Sequence, residues 1–116
     1  MSEATQRDPT AVRTRLTQLT LKFIARTHED LAQMRAALAR LDAGHGDTDT
    51  ALSQIHQLAH RACGTGGTLG LLALSDAAGE LERLVEANPP GAIPGDSERA
   101  RMAAGIDAIA AQLERL

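Results

Sequence analysis

The chain has 116 residues and a formal net charge of −3, with 43% hydrophobic and 23% charged residues and one aromatic, Phe23. Its basic residues are interleaved with acids, and a lone Phe offers no stacking platform, so nucleic acid is excluded as the main partner. A single cysteine cannot close an intramolecular disulfide, no secretory leader opens the chain, and no apolar run approaches the roughly 18 residues of a membrane span, so a soluble, cytoplasmic protein is expected.

Ala and Leu are abundant where strands would call for aromatic and β-branched residues, which predicts an all-α fold. Residues 1–7 are polar and read as a flexible terminus, with 8–116 as a single helical domain. Asp8 and Pro9 suit an N-cap and a first helical position. Val12, Leu16, Leu19 and Phe23 follow at helical spacing, and Ile24, Leu31, Met34, Leu38 and Leu41 continue the series. One helix of that length is unusual in a small domain. Threonines are frequent between Leu19 and Thr27, so a break or kink is expected there, separating a shorter first helix from a long second one.

Ala43 to Thr50 is a turn by composition, with Gly44 placed to close one helix and Thr48 or Asp49 to cap the next. A helix is predicted from about Thr50 to Thr65, then a tight Gly66-Gly67 connection. The following helix should run from Leu69 or Leu71 to Ala87, with Leu74, Ala77 or Ala78, Leu81, Leu84 and Val85 in the core. Three prolines between Asn88 and Gly95 forbid helix there. Asp96 or Ser97 then caps a last helix striped by Met102, Ile106, Ile109 and Leu113. Short connections between helices of similar length imply an up-down antiparallel four-helix bundle with an extra N-terminal helical segment.

Within this plan one histidine is out of place. At about 100° per residue, Leu52, Ile55, Leu58, Ala59 and Ala62 make an apolar stripe about 120° wide, and His60 points roughly 135° away from its centre. Ser53, His56, Gln57, Gly64 and Gly67 share its face. Glycines near a helix end each cost about 1 kcal/mol relative to Ala, a cost explained by helix termination or by something approaching the backbone beside His60.

His60-Arg61-Ala62-Cys63-Gly64-Thr65, followed by Leu69-Gly70, Leu74 and Leu81-Glu82, resembles the histidine phosphotransfer (HPt) domain family. That family carries a pattern close to H-x-x-K-G-[ST], then small residues, L/I-G and L-E. The resemblance is strongest from Ile55 to Glu82 and departs at one point, where Cys63 replaces the usual Lys. It implies that His60 is a phosphoacceptor, relaying phosphate between receiver domains of hybrid histidine kinases and response regulators. It implies also that Glu82, at the spacing of an acid or amide in the chemotaxis-kinase type, accepts from Nδ1–H of His60 and leaves Nε2 free.

The chain has no P-loop, no nucleotide-binding glycine loop and no acidic Mg²⁺ cage. The resemblance therefore implies a phosphocarrier without autonomous catalysis or a cofactor of its own, with phospho-aspartate and Mg²⁺ supplied by the receiver. The expected docking surface comprises Ser53, His56, Gln57, Gly64 and Gly67, bordered by Arg61 and Cys63, on a monomer. Lys22 is the only lysine, so Arg61 or Arg83 must supply any cation for the phosphoryl oxygens. Cys63 itself reads as a small, half-buried packing residue.

Two other readings compete. One is a helical adaptor that docks on a receiver without carrying phosphate. The other is a metal-binding bundle using His56 and His60, which are i and i+4. Zinc needs three or four ligands, however, and Cys63 adds no fourth, so no metal site is expected.

Overall fold

The computed structural model describes residues 8–42 and 47–116, and these form four helices and no strand. They are α1 (Pro9–Asp42), α2 (Thr48–Thr68), α3 (Leu72–Glu86) and α4 (Asp96–Glu114). Gly44 and the terminal residues 1–7 lie outside the described residues.

The break expected between Leu19 and Thr27 is absent: α1 runs unbroken for 34 residues. The threonines do not interrupt it because their hydroxyls turn back onto its own carbonyls. Thr14 donates to Thr10 O (3.0 Å), Thr20 to Leu16 O (2.9 Å) and Thr27 to Phe23 O (2.7 Å). A side chain satisfied in this way competes with the helix only weakly. The extra N-terminal helical segment is thus the start of α1 itself. Val12, Leu16 and Leu19 are exposed, and burial along α1 begins at Phe23.

Each helix packs on the next, and α4 closes the ring against α1. Leu31, Met34 and Leu38 of α1 meet Ile55 and Leu58 of α2, Leu74 and Leu81 of α3, and Met102, Ile106 and Ile109 of α4 in one core. The stripes expected on α2 and α4 are all buried, whereas on α3 Ala78 enters the core and Ala77 and Leu84 stay at its margin. Asp47, rather than Thr48 or Asp49, caps α2: its Oδ1 accepts from Asp49 N and its Oδ2 from Thr50 Oγ1, both at 3.0 Å. Gly95 is the N-cap of α4, so Asp96 lies one residue inside the helix. No helix of the described residues is long and apolar enough to cross a membrane.

Candidate functional site

The site is built on the hairpin of α2 and α3, and glycines set how closely these helices approach. A methyl group placed on buried Gly66 would lie 3.3 Å from Leu74 Cδ2 and 3.6 Å from Ser75 Cα, and one on Gly67 would lie 3.3 Å from Ser75 Oγ. Ser75 Oγ also donates to the Cys63 carbonyl at 2.7 Å, a reach across the interface that larger side chains would prevent. Gly66 and Gly67 therefore do not end the helix, as the sequence suggested. They sit inside α2 and face α3. The turn is made at Gly70, whose φ of +77° suits glycine, with Leu71 N–H on Gly66 O and Gly70 N–H on Gly67 O closing a Schellman motif.

The hairpin holds α2 and α3 in one antiparallel register. His60 faces Glu82, and one turn back along α2, His56 faces Glu86 one turn on along α3. His60 Nδ1 lies 2.5 Å from Glu82 Oε2. A carboxylate can only accept, so Nδ1 carries the proton and donates it, and in the neutral ring Nε2 keeps its lone pair. The His60 side chain is 73% exposed, while Glu82 is held at 16%. His56 Nε2 donates to Glu86 Oε1 at 2.8 Å and stands 3.6 Å from the same Glu82 oxygen that His60 uses. The two imidazole planes are nearly parallel, 7° apart, with centroids separated by 6.2 Å.

Around this pair the surface is low on one side and occupied on the other. Gly64, one turn beyond His60, is exposed, and a methyl group there would meet nothing within 4 Å. Cys63 is half-buried and leans toward α3, as its packing reading anticipated. A methyl on Gly79 would come 3.3 Å from Cys63 Sγ and 3.5 Å from Arg83 Nη1. The Arg83 guanidinium thus lies over Gly79, beside Cys63. Arg61 is turned the other way, its Nη2 donating to Oδ1 of buried Asp30 on α1 at 2.9 Å. Among the described residues Arg83 forms no ion pair, so of the two candidate cations only Arg83 is free.

The structure brings His60, Glu82, His56, Cys63 and Gly64 together. Ser53 and Gln57 are exposed further along α2, whereas Gly67 is drawn into the α2–α3 contact and Arg61 into its pair with Asp30. Sequence reading missed Glu86 and Asp30. The first was within reach, because a register that pairs residues 60 and 82 on antiparallel helices also pairs 56 with 86.

Comparison with curated proteins and with solved structures returned no match. A protein-family model, described as the Hpt domain, matches residues 18–116. That span contains the whole α2–α3 hairpin and begins just before burial along α1 does, so it covers the entire packed bundle. The chain accordingly belongs to the Hpt domain family, whose members serve histidine phosphotransfer as phosphocarriers and interact with two-component receiver domains.

Proposed function

We propose that this chain relays a phosphoryl group through His60 Nε2, taking it from the receiver aspartate of a hybrid histidine kinase and giving it to that of a response regulator. The observation that carries this reading is the His60–Glu82 pair: a ring bound at Nδ1 and open at Nε2, on a helix face cleared by Gly64. In transfer, the Nε2 lone pair attacks phosphorus, the acyl-phosphate bond breaks, and the aspartate leaves as a carboxylate. The ring gains positive charge as the N–P bond forms, and Glu82 stabilises that charge through the Nδ1 hydrogen bond. A Mg²⁺ held by the receiver would neutralise the phosphoryl oxygens on that side. On this side Arg83, lying beside Cys63, takes over the part of the family's lysine. Docking involves Ser53, His56, Gln57, Cys63 and Gly64.

Incubation with phosphorylated receiver domains should place acid-labile phosphate on the chain and none on His60→Gln. Label that persists in His60→Gln overturns the assignment. A chain that binds receivers tightly yet never acquires phosphate is the adaptor of the competing reading.

A further inference from the structure

We propose that His56, Glu82 and Glu86 form a binding site for a divalent transition metal, zinc foremost, and that its occupation withdraws Glu82 from His60. α2 alone carries too few ligands, and the missing ones come from α3. One donor atom from each of the three residues lies within 4.8 Å of the other two. His56 Nε2 is 2.8 Å from Glu86 Oε1 and 3.6 Å from Glu82 Oε2. A tetrahedral ion with bonds of about 2.0–2.1 Å holds its donors about 3.3 Å apart, a spacing that these two separations bracket, while the Glu82 and Glu86 oxygens, within 4.8 Å of each other, are drawn in by rotation of the half-exposed Glu86 side chain.

The donor set points to the class of ion. One imidazole nitrogen with two carboxylates suits zinc and its neighbours, whereas magnesium and calcium favour oxygen alone. Three protein ligands leave a fourth position for water. Among the described residues no arginine or lysine pairs with Glu82 or Glu86, and only the two histidines face them. All three ligands come from helices: His56 belongs to the same α2 face as His60, and the carboxylates are i and i+4 on α3.

The consequence for His60 follows from a shared atom. Glu82 Oε2 accepts from His60 Nδ1 at 2.5 Å and also lies 3.6 Å from His56 Nε2. A cation bound there competes with the Nδ1–H donor. The released ring can move its proton to Nε2, which removes the lone pair that attacks phosphorus. This regulatory half rests on the phosphotransfer reading, but metal binding does not.

Calorimetric titration of the full chain with zinc chloride, with magnesium chloride as comparator, tests the site directly. One zinc should bind more tightly than roughly 100 µM, and His56→Gln or Glu86→Gln should weaken it at least about tenfold. Ring-nitrogen NMR should show His56 Nε2 shifting on zinc addition and the His60 Nδ1–H signal being lost. Weaker zinc binding, binding that survives both substitutions, or binding that Cys63→Ser alone abolishes overturns the site and leaves His56–Glu86 a hydrogen-bonded pair only. For regulation, each protein's phosphotransfer rate with zinc is divided by its own zinc-free rate, and the parent's ratio is compared with that of Glu86→Gln, so that effects of zinc on the receiver cancel. The ratio should fall further for the parent than for Glu86→Gln. Equal ratios overturn the regulatory half. A parent that takes no phosphate even without zinc overturns the phosphotransfer reading instead, while calorimetry still decides the metal site.

Discussion

At the scale of single residues, Glu82 has two separable effects on His60: it holds the ring's proton on Nδ1, and it places a negative charge beside a ring that becomes cationic. Glu82→Gln keeps an oxygen that can accept from Nδ1–H but removes the charge, whereas Glu82→Ala removes both. Phosphorylation of His60 should slow by a few-fold in the Gln variant. It should slow by about tenfold or more in the Ala variant, the scale of one hydrogen bond to a charged group. Ring-nitrogen NMR should show the Nε2–H tautomer rising in Glu82→Ala alone, a change that a merely structural role would not produce. Equal rates in all three proteins would show that Glu82 has no part in positioning the ring. The cation question is decided one turn away. Arg83 lies over Gly79 beside Cys63, so Arg83→Gln should reduce the yield or lifetime of phospho-His60 by a few-fold, about 1 kcal/mol for a partly exposed charge. Cys63→Lys should restore that loss in the Arg83→Gln background, with a smaller gain in the parent, where two like charges would share the space. Both effects should shrink as salt rises. A full gain in the parent and none in the double variant would exclude Arg83 as the substitute cation.

At the scale of helices, the glycines of α2 divide by the direction they face. Gly64 faces open space, so Gly64→Ala should stabilise the fold by up to about 1 kcal/mol, since Ala is the better helix former. Gly64→Leu should hold that stability while phosphotransfer falls, because its side chain rises where a receiver must approach. Gly66→Leu should behave oppositely in thermal melts. It drives a side chain against Leu74 and the backbone at Ser75, and overpacking of this kind costs about 1–3 kcal/mol. A Gly66→Leu variant as stable as the parent would mean that the hairpin does not depend on this contact. Much of this level was legible in the sequence. The apolar stripes of α2 and α4 are the buried ones, and the prolines from Pro89 to Pro94 mark a stretch without helix. What composition could not reveal was which way Gly66 and Gly67 point, because a glycine that ends a helix and one that admits a neighbouring helix look alike until the neighbour is placed. His60 and Glu82 were legible as a pair through family spacing. Glu86 needed the register of the hairpin, and Arg61 needed Asp30, which is far away in sequence.

At the scale of the molecule, α1 is much longer than the bundle it joins, and the whole extends 61 Å along its principal axis. Apolar periodicity runs through α1 almost unchanged, from Val12, Leu16 and Leu19 to Leu31, Met34 and Leu38. Only the second group is covered by other helices. Periodicity reports that a stripe exists and carries no information about what lies on it, which is why sequence reading placed Val12 and Leu16 in the same series as the core. The family match, beginning at residue 18, draws the boundary in nearly the same place as burial does. Stability should follow that boundary. Val12 and Leu16 are 47% and 50% exposed, so a Val12→Ser, Leu16→Ser double variant should lie within about 1 kcal/mol of the parent, a few degrees in melting temperature at this chain length. Phe23 is buried where α1 first meets the bundle, and Phe23→Ala should cost about 3 kcal/mol or more, a drop of at least roughly 10 °C. The two proteins melted side by side, at several concentrations, give the reading. If the serine pair destabilises as much as the loss of Phe23, the first turns of α1 are packed in solution against something that the isolated chain does not provide. A melting temperature that then rises with protein concentration in the parent, and not in the serine variant, identifies that something as a second copy of the chain.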